Sequence, residues 1–282
     1  MSTIQRTFQL LTSAFPHGAY QSPGINRPDL RAPSVKGQLR WWYDALFEDP
    51  NSEQRLFGYV SSNENRRMGL EGNQSSKVIV RIRSLTEVAP VPTSFIPHKA
   101  GGGNKNAIPV GSRYELSLLQ RREGVSDAES QRLELALDAW LLLGGIGQRA
   151  SRGAGSVWPD GAPETSGAFR SRADLLLQGS RIRYAILGRK DGLDDMTIRH
   201  LSGDFLADVA FGDCQTPFGS AEPRKPSPLR LRAVRLDGEL RIVAVFDSRF
   251  QSRDTLRMGI ARLAREKEIG RLLHESVEDL CA

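Results

Sequence analysis

The chain has 282 residues, 39% of them hydrophobic and 26% charged, which excludes a disordered or fibrous protein and allows one long or two ordinary domains. Lys and Arg total 39 against 33 Asp and Glu, a formal charge of +6 with a pI near 9.6, so a polyanionic partner suits it better than a neutral small molecule. Only seven of the basic residues are Lys and 32 are Arg, whose planar fork pairs with phosphate oxygens and stacks on bases. A GC-rich genome is the plainer source of that bias, though not of the net excess.

No apolar run reaches the length of about 20 residues that spans a bilayer, and the opening MSTIQRTFQLLTSAF lacks the basic start and apolar core of a signal peptide. Cys214 and Cys281 lie far apart and form no CxxC unit. A zinc site or disulfide framework is therefore not expected, and a cytoplasmic location is.

Residues 6–12 alternate as a first strand, with Phe8 and Leu10 on one face. A Gly- and Pro-rich loop carrying Arg27 and Arg31 leads to SVKGQLRWWYDALFED, a helix whose stripe is Val35, Leu39, Trp42 and Leu46, with Ser34 as expected N-cap. A polar loop follows, then KVIVRIRSL as a strand and TSFIPHKAGGGNKNAIPVG as an exposed loop. SRYELSLLQRRE reads as a third strand. SDAESQRLELALDAWLLLGG reads as a helix opened by the capping box Ser126-x-x-Glu129 and stopped at Gly144, and GSVWP as a short last strand.

This order, βαββαβ, predicts an α+β fold: a ferredoxin-like (RRM-like) domain over residues 1–160, with PDGAPETSG as linker. Over 168–282 the pattern predicts a strand at SRIRYAILG and a helix at LDDMTIRHLSGDFLADVAF broken near Gly203. A hairpin turning at Asp237-Gly238 and a long closing amphipathic helix follow. That sequence of elements permits a second, degenerate ferredoxin-like domain. The hairpin register puts Arg230, Arg232 and Arg241 on one face, a basic patch or simply the solvated side of an edge strand.

The stretch GGIGQRASRGAGS, residues 144–156, contains no P-loop, because no Lys follows its glycines. GIGQRA matches the dinucleotide GxGxxG/A pattern only in letters, since a helix precedes it and a strand follows, the reverse of what that fold requires. What remains is a glycine-bracketed loop presenting Gln148, Arg149, Ser151 and Arg152, suited to phosphate oxygens; a flexible connector with incidental arginines is the bland alternative. A second basic group lies at the first helix: Arg31 and Ser34 at its start, Lys36 and Arg40 one turn apart beside the apolar stripe. A solvated helix face looks the same. Trp42 belongs to the core stripe, whereas Trp41 lies off it and is free to pack in an interface or on a base. His17, His98, His200 and His274 are scattered with no catalytic signature, and Asp194-Asp195 reads as a polar helix start rather than a metal site.

Three segments together resemble the RAMP superfamily of CRISPR–Cas proteins, and within it the family of first subunits of the Cmr (type III-B) effector complex: LRAPSVKGQLRWWYDALF, EQRLFG over 53–58, and LLLGGIGQRASRGAGSV. FGSAEPRKPSPLRLRA is a fainter echo. The resemblance implies paired ferredoxin-like domains and a non-catalytic, RNA-binding subunit at the end of a ribonucleoprotein filament used in antiviral defence. Such a subunit has no metal and no small-molecule cofactor. It touches the guide RNA 3′ region and the target RNA backbone, with other RAMP subunits as partners and no membrane. Carried onto this chain, it makes Arg31, Lys36, Arg40, Arg149 and Arg152 phosphate contacts, and Gly145, Gly147 and Gly153 the positions of close RNA approach. With Ser34, Gln148 and Ser151 these form the expected RNA-binding set. Two readings compete: a RAMP-type endoribonuclease, either processing guide precursors with His17 as acid/base or cutting the target with a metal, and a structural adaptor docking through Trp41.

Overall fold

The computed structural model describes residues 2–17, 27–121, 124–187, 192–208, 227–249, 252–263, 268–276 and 279–280. Cys214, Cys281 and the Arg224 of the RKPSPL echo lie outside the described residues. Strand β1 (Ser2–Leu10) pairs with β5 (Arg113–Gln120) on one side and β6 (Val157–Pro159) on the other, and β2 (Val78–Ser84) pairs with the far side of β5. The order β2-β5-β1-β6 is antiparallel throughout. The first and third strands of the βαββαβ unit are thus central, as the ferredoxin-like fold requires.

One face of this sheet is apolar. Phe8 and Leu10 of β1, Val78 and Val80 of β2, and Tyr114, Leu116 and Leu118 of β5 point to α1 (Ala32–Phe47) and α4 (Asp127–Leu143). The Phe8 ring lies 5.6 Å from Tyr114 and 5.8 Å, edge-on, from Trp140, an arrangement worth somewhat more than its buried area. All four stripe residues of α1 are buried. The helix starts three residues earlier than the expected N-cap indicates. Pro33 supplies the first-turn φ, Arg31 is the N-cap without a side-chain bond, and Ser34 lies inside the helix. The capping box of α4 forms as expected, with Ser126 and Glu129 satisfying each other's backbone N–H.

Two stretches expected as loops are ordered. Residues after α1 form α2 (Pro50–Phe57) and α3 (Asn63–Arg67), capped by Asp49 and Ser62. The 91–107 region forms a hairpin of β3 (Val91–Ser94) and β4 (Asn104–Ala107).

The second half adds α5 (Ser166–Leu177), β7 (Ile182–Ile186), α6 (Asp195–Asp208), β8 (Leu229–Leu236), β9 (Glu239–Asp247), α7 (Arg253–Leu263) and α8 (Glu268–Glu275). Its sheet order β7-β9-β8 repeats the first–third–second arrangement of β1-β5-β2, with no fourth strand among the described residues. Asp237 and Gly238 both have positive φ, 54° and 81°, as the two-residue hairpin demands. Helix α6 is not broken at Gly203. The missing side chain instead admits His98, whose Nδ1 would lie 2.3 Å from a β-carbon there.

The hairpin arginines form no solvated patch. Arg232 and Arg241 are 2% and 5% exposed, and Arg230 lies 3.6 Å from the Trp41 ring centroid. Their strands face α1 and the C-terminal end of α4, where Arg232 Nε donates to the Leu143 carbonyl at 3.3 Å, a cation at the negative end of a helix. Burial brings Arg232 down to about 9 and Arg230 to about 10. Arg249 clamps the same junction through Asp44 of α1 at 2.6 Å and Asp247 of β9 at 2.9 Å. One continuous apolar core therefore runs from Phe8 and Trp42 through Phe169 to Leu231 and Val245.

Candidate nucleic-acid interface

The glycine-rich segment leaves α4 and returns to β6 as a closed stem. Gly145 bridges Ser156, and Ile146 N–H donates to the Gly155 carbonyl at 2.8 Å. Beyond the stem the segment is stitched to three neighbours. Gln148 N–H donates to Phe15 O at 3.0 Å, Gly155 N–H to Ser13 O at 3.0 Å and Gly153 N–H to Leu231 O at 3.0 Å, while Leu231 N–H returns a bond to Ser151 O. It is a braced element, not a free connector.

The bracing explains the glycines. A β-carbon on Gly155 (φ +59°) would sit 2.0 Å from the Ile146 carbonyl oxygen, and one on Gly147 (φ +88°) 2.8 Å from the Phe15 carbonyl carbon. On Gly145 it would meet the Gly155 carbonyl at 2.9 Å, and on Gly153 (φ +77°) Ile198 and Ser202 at 3.0 Å. The close approach observed at Gly145, Gly147 and Gly153 is thus to the protein's own chain. This supplies an internal reason for glycine at each position, distinct from the polymer approach expected of them.

The basic side chains stand around this frame. Arg149 itself has φ +59° and lies half-buried, its guanidinium 5.7 Å from the Phe95 ring centroid. Lys105 Nζ lies 4.6 Å over the same ring and donates to exposed Gln148 Oε1 at 2.8 Å. Burial, then the charges of Arg152 and Arg199, bring Arg149 down to about 10, and burial lowers Arg152. Among the described residues neither Arg149 nor Arg152 has a carboxylate at ion-pair distance. Arg199 is different: it is buried and satisfied by Asp195, Ser94 O and Thr93. Asp194 caps the helix start through Thr197 N–H at 2.7 Å, as its sequence position indicates.

At α1 the expected group divides. Arg31 is exposed, and Lys36 is half-buried without an ion-pair partner among the described residues; burial and then Arg40 lower its pKa. Arg40 is committed elsewhere. Its guanidinium grips both carboxylate oxygens of Glu53 and donates to the Gly58 carbonyl at 3.3 Å. The KGQLR and EQRLFG stretches therefore explain each other, one supplying the cation and the other its acceptors. Glu53 is 6% exposed, and burial raises its pKa against the opposing pull of Arg40. Arg40→Ala is expected to cost about 2 kcal/mol in urea unfolding at neutral pH, because it leaves a buried carboxylate without its cation. A folded-state pKa raised above the unfolded one penalises stability above the carboxylate range, so the deficit shrinks as acid protonates Glu53.

The structure joins the two basic groups indirectly, through Asp29 N–H on Pro16 O next to Phe15, and through Arg230 on Trp41. The Trp41 face is thus occupied by Arg230. Sequence reasoning missed Lys105, His98 and Ser202, which reach the loop from the hairpin and α6; no local pattern marks them. His17 sits beside the loop with both ring nitrogens buried and unbonded, its pKa lowered by burial and then by Lys105. Among the described residues no three His, Cys, Asp or Glu side chains are grouped to hold a metal, and no helix is long and apolar enough to cross a membrane.

A ferredoxin-like α+β unit with a glycine loop after its second helix defines a class, and the RAMP superfamily model matches residues 7–158. This chain belongs to the RAMP superfamily. Within it, the chain is 28% identical over 144 residues to the CRISPR system Cmr subunit Cmr1-1 of Pyrococcus furiosus, a stretch covering 46% of this chain but only 40% of that relative. Its fold is similar to the crystal structure of Cmr1 from the same organism in apo form, with a TM-score of 0.53 at 18% identity over 90% of each chain. It is also similar to a chain in the cryo-EM structure of the type III-B Cmr-beta bound to cognate target RNA and AMPPnP, with a TM-score of 0.50 at 10% identity, over 86% of this chain and 94% of that one.

Proposed function

We propose that this chain is a non-catalytic RNA-binding subunit of a type III CRISPR effector complex, assembled with other RAMP subunits and contacting the backbones of guide and target RNA. The observation that carries the reading is the braced glycine loop holding Arg149 and Arg152 beside Lys105 with no carboxylate partner among the described residues. Cations held in place without internal anions serve an external polyanion, and phosphate contacts bind without specifying sequence. Family membership and the Cmr1-1 likeness supply the choice of RNA and of the complex.

In this reading Arg31, Lys36, Gln148, Arg149, Ser151 and Arg152 face the RNA. Ser34 and Arg40 support α1, while Gly145, Gly147 and Gly153 set the loop. The first domain ends near residue 160 and the second begins near 168. The test is equilibrium binding of the purified chain to labelled single-stranded and duplex RNA between 50 and 300 mM salt, on the order of the range over which phosphate contacts are lost. Binding should weaken steeply with salt, and the RNA should stay intact with or without divalent metal. Cleavage abolished by His17→Ala would establish the endoribonuclease reading in its place.

A further inference from the structure

Four unpartnered polar atoms converge where the glycine loop, the β3–β4 hairpin and α6 meet. Both ring nitrogens of His98, Arg149 Nη2 and Ser202 Oγ are buried and make no hydrogen bond. His98 and Arg149 meet at Gly203, and Ser202, the residue before it on α6, faces the glycine loop at Gly153. An ideal β-carbon on Gly203 would lie 2.3 Å from His98 Nδ1 and 3.2 Å from Arg149 Nη2, and one on Gly153 would lie 3.0 Å from Ser202 Oγ. Buried polar groups are almost always paired, because an unpaired one costs roughly 1–3 kcal/mol. These three residues, drawn from three elements far apart in sequence, thus keep a donor each for an acceptor from outside.

The local charge specifies that acceptor. Arg149 and Arg152 both press on His98, as does Lys99, and with burial acting first they hold its imidazole down to about 4; Asp204 opposes them. Asp195, the other nearby carboxylate, is consumed by Arg199 and by Ser13 N–H and Oγ. A guanidinium, a hydroxyl and the single N–H of a neutral imidazole can all donate, and an acceptor with several lone pairs and negative charge satisfies these three, leaving only the second imidazole nitrogen, itself an acceptor. A phosphate oxyanion has that chemistry.

We propose that His98, Arg149 and Ser202 form a desolvated receptor for one phosphodiester oxyanion, with Arg152 at its edge. This deepens the RNA-binding reading and rests on it for the polymer to which the phosphate belongs. Because Ser202 belongs to α6 and the other two to the first half, a bound phosphate bridges the two halves of the chain.

The test uses the full chain with its histidine rings labelled for NMR, the His98 signal assigned through His98→Gln, and two probes: an oligoribonucleotide and inorganic phosphate. The His98 resonance should move on adding RNA, and its response to inorganic phosphate tells whether the receptor takes the free ion as well. Ser202→Ala and His98→Gln should each weaken RNA binding about 5-fold, the equivalent of one hydrogen bond. The melting temperature of Ser202→Ala without ligand should be unchanged or higher, since it removes an unsatisfied group; a purely structural role would lower it. Equal affinity of wild type and both variants, with His98 unmoved by either probe, overturns the receptor while RNA binding stands. If wild type binds no RNA, the RNA reading falls, and the phosphate titration alone decides the receptor: a shift supports it and no shift ends it.

Discussion

Gly155→Ala should be the most damaging single-methyl change in the glycine loop, lowering stability by about 4 kcal/mol or preventing folding altogether. Two costs combine. A side chain at φ +59° carries about 1–2 kcal/mol of left-handed strain. The new β-carbon would also stand 2.0 Å from the Ile146 carbonyl oxygen, main chain that cannot rotate away. Relieving that overlap breaks the 2.8 Å bond from Ile146 N–H to Gly155 O and loosens the 3.0 Å bond from Gly155 N–H to Ser13 O, so the stem opens. Gly161→Ala is the control. Its φ is +71°, but nothing lies within 4 Å of the added carbon, so it should show the strain alone. Urea unfolding of the two variants separates the terms, and equal losses at both sites would mean that the stem is not held as described.

The second large effect is on binding. Arg149→Ala combined with Arg152→Ala should weaken RNA affinity by about 10- to 100-fold near 0.1 M salt and flatten the log–log salt dependence by about 1.5, the share of two phosphate contacts. Stability should hold or rise. Both guanidiniums are partly desolvated without a carboxylate partner among the described residues, so the folded chain carries their burial cost with little internal return. Loss of affinity joined to retained melting temperature distinguishes a binding role from a structural one. Arg40→Ala should show the opposite, since its guanidinium serves Glu53.

The parts of the fold legible in the sequence are those whose cause is local. The capping box at Ser126, the stripe of α1 and the Asp237-Gly238 turn depend on neighbours a few residues away, and all formed. Helices α2 and α3 escaped notice because they are short and mostly polar, opened by Asp49 and Ser62 caps, with Leu56 and Phe57 at the end of α2 reaching the core. The β3–β4 hairpin has no period-two alternation; its order comes from packing Phe95 on Phe15 at 5.1 Å. The arginines of β8 and β9 read as an edge strand's wet side because alternation cannot say what covers a face, and α1 and α4 cover this one.

The candidate site was legible to the same degree. Gln148, Arg149 and Arg152 stood out by composition, and the loop does hold them at a junction. The reason for the glycines was not legible, because the surfaces they approach, Phe15, Ile146 and Ile198, come from distant segments. The same holds for Lys105, His98 and Ser202. Each reaches the loop through tertiary contact alone.

Photo-crosslinking of the intact chain to RNA, followed by peptide mapping, tests the central claim most directly. It separates the rim of the glycine loop from a competing basic surface, the uncovered face of the first sheet, where Arg81 and Arg83 are exposed. The account predicts crosslinks in peptides spanning 98–105 and 145–152. Crosslinks confined to the sheet face, with none on the loop, would contradict it.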